Sequence, residues 1–339
     1  MLIQKNIPLA SFTTFRIGGK VDFFAEVTSI EELEESMLFA KTNNIPFFVL
    51  GGGSNVLISD KGFKGLVIKI SFKGTSFIEK ENDVFVQSGA GEVWDSLVST
   101  AVLKNLWGIE NLSAIPGTVG AAPVQNIGAY GAEFQNTFFS LQAFNVQTKE
   151  IKEFTKEECL FGYRDSIFKK KNNPYVIISV TLKLSKIPRI NILYKDVQTF
   201  FLERNTMEPS LQEIRDAVVE IRKNKLPDIT KLGTAGSFFK NPIITKDKYG
   251  ELKKEYPELP FFEVNETHVK IPLAWVLDTV CKLKGFKMGS VGLYEHQPLA
   301  LVNFGNGNEK EITALAEYVS RKVKEKINVD IEWEVQRIV

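Results

Sequence analysis

The sequence predicts an α+β fold, and three features predict it: helices opened by serine capping boxes, short apolar runs of strand length, and glycine-rich stretches that no helix directly follows. The chain has 339 residues, 44% hydrophobic and 24% charged, a globular composition with length for two or three compact domains. That is the size of an enzyme. Lys plus Arg number 42 against 41 for Asp plus Glu, a balance that offers no electrostatic grip on nucleic acid or a membrane surface. The longest apolar runs, such as Tyr175 to Val180 and Ile271 to Val276, fall well short of the roughly 18 to 20 residues of a membrane span. The start, Met1-Leu2-Ile3-Gln4-Lys5-Asn6, has no secretory pattern, so a cytoplasmic protein is expected. Cys159 and Cys281 are far apart and only His268 and His296 accompany them. Neither a disulfide framework nor a metal site is expected.

In chain order, Ser29 with Glu32 opens a helix carrying Leu33, Met37 and Ala40. The run Ile45 to Leu50 then reads as a buried strand that delivers Gly51-Gly52-Gly53-Ser54-Asn55, with Val56-Leu57-Ile58 extended beyond. Further strands are expected at Leu66 to Ile70, Val84 to Gln87, Phe139 to Asn145 and Val176 to Leu184, and a helix from Glu92 to Leu103. Ser210 with Glu213 opens a helix bearing Leu211, Ile214, Val218 and Ile221, which stops at Leu226-Pro227. A domain boundary is placed just before it. The last third is expected to hold a helix near Leu273 to Cys281, a strand at Leu299 to Phe304, a charged helix from Glu309 to Ile327 and a terminal strand from Val329 to Ile338.

Three successive glycines after a strand let the backbone turn left-handed and approach a ligand, with amide hydrogens pointing at an anion. The pattern is neither a Walker loop nor a dinucleotide fingerprint, since no Lys-Ser/Thr pair follows and no helix begins there. A tight turn explains it equally well. The stretch Gly108 to Gly131 is more telling: Ser113, Thr118, Gln125 and Asn126 stand among many glycines and alanines, which suits a backbone wrapped around a large planar or diphosphate ligand.

Together the two stretches resemble the FAD-binding half of the vanillyl-alcohol-oxidase-like flavoproteins. Phe161-Gly162-Tyr163-Arg164-Asp165-Ser166, Lys225-Leu226-Pro227-Asp228, Ala235-Gly236-Ser237-Phe238-Phe239-Lys240-Asn241-Pro242 and Glu332-Trp333-Glu334-Val335 are similar in order and spacing to the UDP-N-acetylenolpyruvoylglucosamine reductase family. Ile192-Leu193-Tyr194-Lys195-Asp196 resembles the family's form with a substrate-covering tyrosine loop. Several motifs in one order are far more specific than any one alone. Glu332, Trp333 and Gln336 are less typical.

The resemblance implies a two-part FAD-binding domain of the PCMH type, residues 1–70 and 71–207, with strand 329–339 packing back on the first part. A smaller α+β substrate domain would span 208–328. It implies non-covalent FAD held by Gly51, Gly52, Gly53, Ser54, Asn55, Ser113, Ile115, Pro116, Gly117, Thr118, Gly120, Gln125, Asn126, Gly128 and Ala129. NADPH as hydride donor, UDP-N-acetylglucosamine enolpyruvate as substrate and a monomeric state are also expected. Tyr163, Tyr194, Lys225, Asn241, Lys284 and Gln297 match positions that contact the UDP-sugar.

Three positions match catalytic ones. Arg164 would fork onto the substrate carboxylate; an ion pair with Asp165 or another acid is its structural alternative. Glu334 would polarise the same carboxylate, although strand alternation groups it with Glu332 and Gln336 on a solvent face. Ser237 would donate a proton to the developing anion, and a small turn residue is the other reading. The run Lys169-Lys170-Lys171 has no motif context and reads as a solvated face. Two rival functions remain at this level: an oxidase on the same flavin scaffold, and a non-catalytic module that binds flavin or sugar nucleotide.

Overall fold

The structure, a computed structural model, describes residues 1–339. Local signals decide the helices. Ser29 Oγ accepts the Glu32 amide at the start of the helix Ile30–Thr42. At the helix Leu211–Lys225 the box is complete: Ser210 Oγ accepts the Glu213 amide at 3.3 Å, and the Glu213 carboxylate accepts the Ser210 amide at 2.8 Å. Asn308 and Glu311 form the same reciprocal pair at the helix Glu309–Ile327, which ends on Asn328 at φ +52°.

The chain divides into two units, one of residues 1–7, 21–53 and 64–223, the other of 8–20, 54–63 and 224–339. The first holds a four-stranded sheet in the order Ile3–Pro8, Lys20–Val27, Phe63–Ile70, Phe47–Leu50, whose last two strands run parallel with Phe47 opposite Leu66. It also holds a five-stranded antiparallel sheet in the order Ile151–Phe154, Phe138–Asn145, Tyr175–Ser185, Asp83–Gly89, Thr75–Lys80. Trp94 of the helix Trp94–Leu103 is buried against this core, edge-tilted to Phe134 at 5.9 Å.

The second unit centres on an antiparallel sheet in the order Gly233–Ser237, Ala300–Asn303, Val291–Leu293, Lys287–Met288. Ile312, Leu315, Val319 and Val323 of the long helix share a core with Val291, Leu293 and Leu301 of that sheet. A three-stranded sheet, Ile243–Thr245, His268–Lys270, Phe262–Glu263, and a parallel pair, Val56–Ile58 with Gln336–Ile338, complete it.

Four expectations need correction. Division falls after Lys223, not before Ser210, because Leu211, Ile214, Ala217 and Val218 bury themselves with Val102, Trp107, Val197 and Phe201 of the first unit. Residues 54–63 leave the first part for the second, where Asp60 accepts the Glu309 amide at 2.8 Å and caps the long helix. The terminal strand is only Gln336–Ile338, and the helix expected over Leu273 to Cys281 is a short turn, Leu273–Trp275, widened into a π-turn over Val276–Val280.

Candidate functional site

In the first unit the glycine turn after Phe47–Leu50 lies against the stretch around Gly117. A Cβ on Gly52 would stand 2.7 Å from the Gly117 Cα, and one on Gly51 would stand 2.9 Å from Thr118 Oγ1. Backbones this close leave no room for a side chain. Gly53 and Gly117 take φ of +63° and +125°, angles that favour glycine. The amides of Gly52, Gly53, Gly117 and Thr118 donate to no backbone acceptor in the chain. Neighbouring unpaired amides on two touching turns suit the oxygens of a diphosphate, so the pair fits FAD.

Other members of the expected cofactor set have different work. The Gly120 amide donates to the Ala90 carbonyl at 2.9 Å, and a Cβ there would fall 2.5 Å from that of Ala90. Ser113 and Asn126 are fully buried. Ser113 Oγ donates to the Glu110 carbonyl at 2.6 Å and accepts from Arg215 at 2.9 Å. Asn126 Nδ2 donates to Glu133 at 2.9 Å and to the Gly162 carbonyl at 3.1 Å, while its Oδ1 accepts the Gln135 amide at 3.0 Å. The polar side-chain atoms of these two residues brace the loop from inside. Ile115, Pro116, Gln125, Gly128 and Ala129 are half-buried.

Arg164 sits at the tip of a tight hairpin in which Gly162 and Asp165 exchange backbone hydrogen bonds of 3.0 and 3.3 Å. Its own φ is +55°. Nη2 donates to the Gly128 carbonyl at 2.6 Å, and a Cβ on Gly128 would come within 2.9 Å of Nη1. Gly128 is therefore small because the guanidinium lies on it. The alternative pairing with Asp165 is absent: Asp165 takes Lys170 at 2.7 Å. Lys169 Nζ donates to the Arg164 carbonyl at 3.1 Å, so Lys169 and Lys170 hold this hairpin rather than forming a merely solvated face.

Nearby, Tyr194 precedes the helix Lys195–Leu202, and its ring stands edge-on to Tyr130 at 5.4 Å. Burial pushes the Tyr130 phenol up to about 12 against the pull of Arg222. Burial likewise draws the Arg222 guanidinium below its ordinary value, opposed by Tyr130 and Asp95. Arg215 grips Asp95 with both arms, at 2.8 and 3.0 Å, and Asp95 also accepts the Ala114 amide at 2.6 Å. The entry to the 115–118 stretch is thus fixed to a charged pair.

In the second unit, Ser237 ends its strand after a register shift between Thr234 and Ser237, with Gly236 at φ +74°. The bulge re-aims Ser237. Phe238 and Phe239 behind it are buried. Glu334 is only 8% exposed, which overturns the solvent-face expectation. Alternation fails because Trp333 makes a single bridge to Phe239 and the chain bends at Val335 before the strand begins. The Glu334 carbonyl accepts from Asn55 Nδ2 at 3.2 Å, and the Asn55 carbonyl accepts the Gln336 amide at 3.0 Å.

Comparison with known proteins fits this chemistry. Residues 21–150 match the FAD binding domain family, and residues 228–338 match the C-terminal domain of UDP-N-acetylenolpyruvoylglucosamine reductase. The reductase of Flavobacterium johnsoniae is 43% identical over the full length of both chains, that of Amoebophilus asiaticus 41% over the full length of both, and that of Porphyromonas gingivalis 37%, again full length. The protein belongs to the UDP-N-acetylenolpyruvoylglucosamine reductase family. A solved structure of the enzyme from Thermus caldophilus, 23% identical, shares the fold with a TM-score of 0.69 and complete coverage of both chains.

The remaining positions expected to contact the sugar nucleotide have local partners in this chain. Asn241 Oδ1 accepts the Leu273 amide at 2.9 Å, Lys284 pairs with Asp278 at 3.0 Å, and Gln297 Oε1 accepts the Leu299 amide at 3.4 Å. Tyr163 carries the Arg164 guanidinium over its ring at 5.6 Å, and Lys225 ends its helix half-buried. Sequence reasoning missed Asp95, Arg215 and Arg222. Arg215 and Arg222 stand two turns apart on one helix, a spacing that places both on one face and was the available signal.

Proposed function

We propose that this protein reduces UDP-N-acetylglucosamine enolpyruvate to UDP-N-acetylmuramate, with NADPH as reductant, in the making of peptidoglycan precursors. The observation that carries the reading is the full-length likeness to the Flavobacterium johnsoniae reductase at 43% identity; the paired glycine turns support it. FAD held by the turns at Gly51 to Gly53 and Gly117 to Thr118 would supply the hydride chemistry that links NADPH to the terminal carbon of the enol ether. The chain's own residues manage the charge that results.

Hydride arrival leaves negative charge on the adjacent carbon and its carboxylate, an enediolate that needs cationic and hydrogen-bonding partners. Arg164 supplies a planar fork, already oriented by the Gly128 carbonyl and the tip geometry of its hairpin. Glu334, withdrawn from water, polarises that carboxylate. Ser237 gives its hydroxyl proton to the adjacent carbon and is reprotonated through solvent, completing the lactyl ether. Tyr194 and Tyr163 contact the nucleotide, and Lys225, Asn241, Lys284 and Gln297 contribute to the sugar-nucleotide grip.

The test is anaerobic. Protein reduced with NADPH is mixed with UDP-N-acetylglucosamine enolpyruvate, and the oxidised flavin spectrum is expected to return without air. Ser237→Ala should retain its yellow colour yet slow that return by about 10²–10⁴-fold. Reoxidation only on admitting oxygen would replace this reading with an oxidase.

A further inference from the structure

Thr234, the second residue of the strand Gly233–Ser237, is buried, only 2% exposed. Its hydroxyl spans a break in the sheet. Thr234 stands opposite Val302 and Ser237 opposite Ala300, so Ala235 and Gly236 together face the single residue Leu301. That two-against-one count is a β-bulge. Thr234 Oγ1 donates to the Leu301 carbonyl at 2.8 Å and accepts the Gly236 amide at 3.2 Å. Because a carbonyl only accepts and an amide N–H only donates, one orientation of the hydroxyl satisfies both. Pairing resumes beyond the bulge, where the Phe238 amide donates to the Leu299 carbonyl at 2.8 Å.

The same strand is held from its outer edge. Within the sheet it has a neighbouring strand on one side alone, and the segment around Thr14 lies along the other. The Thr234 amide donates to the Thr14 carbonyl at 3.0 Å, and Thr14 Oγ1 donates to the Thr234 carbonyl at 2.6 Å. A Cβ on Gly233 would fall 2.3 Å from the Phe15 carbonyl oxygen, which also accepts from the buried Asn303 Nδ2 at 3.3 Å. Phe15 is fully buried and meets Phe238 edge-on at 6.3 Å. Arg16, at φ +56°, donates to the Ile229 carbonyl at 2.8 Å. The run Thr14-Phe15-Arg16 therefore anchors the strand just before its bulge.

We propose that Thr234 is a positioning residue for proton transfer: its hydroxyl holds the bulge that aims Ser237, while Thr14 fixes Thr234 from the strand's outer edge. This rests on the proton-donor role given to Ser237 above. In an unbroken ladder Ser237 would stand opposite Leu299, and a slip of one residue turns a strand side chain to the other face of its sheet. Without the Thr234 hydroxyl, the buried Leu301 carbonyl and the Gly236 amide lose their shared partner, and the bulge shifts to find others. A misplacement of about 1 Å can cost about 10²-fold in a step that depends on it. Flavin reduction by NADPH takes no proton from Ser237, so the loss falls on the reoxidation half-reaction alone.

The experiment compares Thr234→Val, Thr234→Ser, Thr14→Val and Ser237→Ala with the parent holoenzyme by anaerobic rapid mixing. Three readouts are taken: the rate of flavin reduction by NADPH, the rate of flavin reoxidation by UDP-N-acetylglucosamine enolpyruvate, and the solvent deuterium isotope effect on reoxidation. Thr234→Val is expected to slow reoxidation by roughly 10–10²-fold and to enlarge its isotope effect, with the NADPH rate within about twofold. Thr234→Ser keeps the hydroxyl and is expected to recover most of the lost rate. Thr14→Val, at a half-buried position, should slow reoxidation by less, and it decides the matter if Thr234→Val fails to fold. With Ser237→Ala slow, parental reoxidation in folded Thr234→Val, or in Thr14→Val in its place, overturns the positioning role; so does equal slowing of both half-reactions, or a Thr234→Ser protein as slow as Thr234→Val. Parental reoxidation in Ser237→Ala instead removes the proton-donor role beneath it.

Discussion

The Glu334 amide donates to the Phe238 carbonyl at 2.8 Å, so the terminal segment is tied to the residue that follows Ser237. The Lys240 amide donates to the Glu332 carbonyl at 2.9 Å, their side chains pair at 3.0 Å, and the Trp333 ring meets Phe238 edge-on at 4.8 Å. Glu332 and Trp333 thus form a clasp on the segment that carries Ser237. Trp333→Ala is expected to lower stability by about 1–3 kcal/mol and to slow flavin reoxidation by the enolpyruvyl substrate more than flavin reduction by NADPH. Thermal melting and rapid mixing read the two effects; equal slowing of both half-reactions would contradict the clasp.

Arg164 is held by a carbonyl and its neighbour Asp165 by Lys170, and the roles of Arg164 and Asp165 therefore separate cleanly by mutation. Arg164→Lys loses the fork and should cost about 10²–10³-fold in kcat/KM. Asp165→Asn breaks only an exposed pair, a change of about 0–1 kcal/mol, and should leave kcat/KM within a fewfold. Steady-state kinetics on the two variants decide; parallel losses would restore an Arg164–Asp165 partnership.

Gly52→Ala would place a methyl 2.7 Å from the Gly117 Cα. No rotamer relieves a clash between two backbones, so the turns must part, at a cost of about 1–3 kcal/mol. The purified variant should carry less FAD, seen as a lower ratio of flavin to protein absorbance. Full FAD content would mean that the touching turns do not hold the cofactor.

Burial would raise the Asp95 carboxyl, but the Arg215 guanidinium and the Ala114 amide outweigh it and hold it below the ordinary carboxylate range. A carboxyl depressed in the folded state stabilises above its unfolded value, and the contribution fades as pH falls through the folded one. Asp95→Asn should therefore melt earlier than the parent at neutral pH, by about 1–3 kcal/mol, with the gap closing below about pH 4. A gap that stays constant into acid would show that the pair contributes no pH-dependent stability.

Much of the architecture was legible in the sequence because its signals are local. A serine and a glutamate three residues apart set the starts of Ile30–Thr42 and Leu211–Lys225, and apolar spacing foretold Glu309–Ile327 without displacement. The three glycines at 51–53 and Gly117 were readable as a place of close backbone approach, since no other residue permits it. Ordered motifs identified the family, and full-length relatives agree with that identification.

Tertiary structure decided what each polar side chain faces. Periodicity put Glu334 toward solvent; it is buried because the segment before it wraps over Phe238 and Phe239 instead of extending a strand. Composition offered Ser113 and Asn126 to a ligand; long-range partners, Arg215 and the Gly162 carbonyl among them, claimed their polar atoms. Proximity in sequence suggested Asp165 for Arg164, yet the left-handed hairpin tip turns the guanidinium to Gly128. Conformational preference acts over three or four residues and is written in neighbours, whereas burial and the choice among competing partners depend on segments brought together from across the chain.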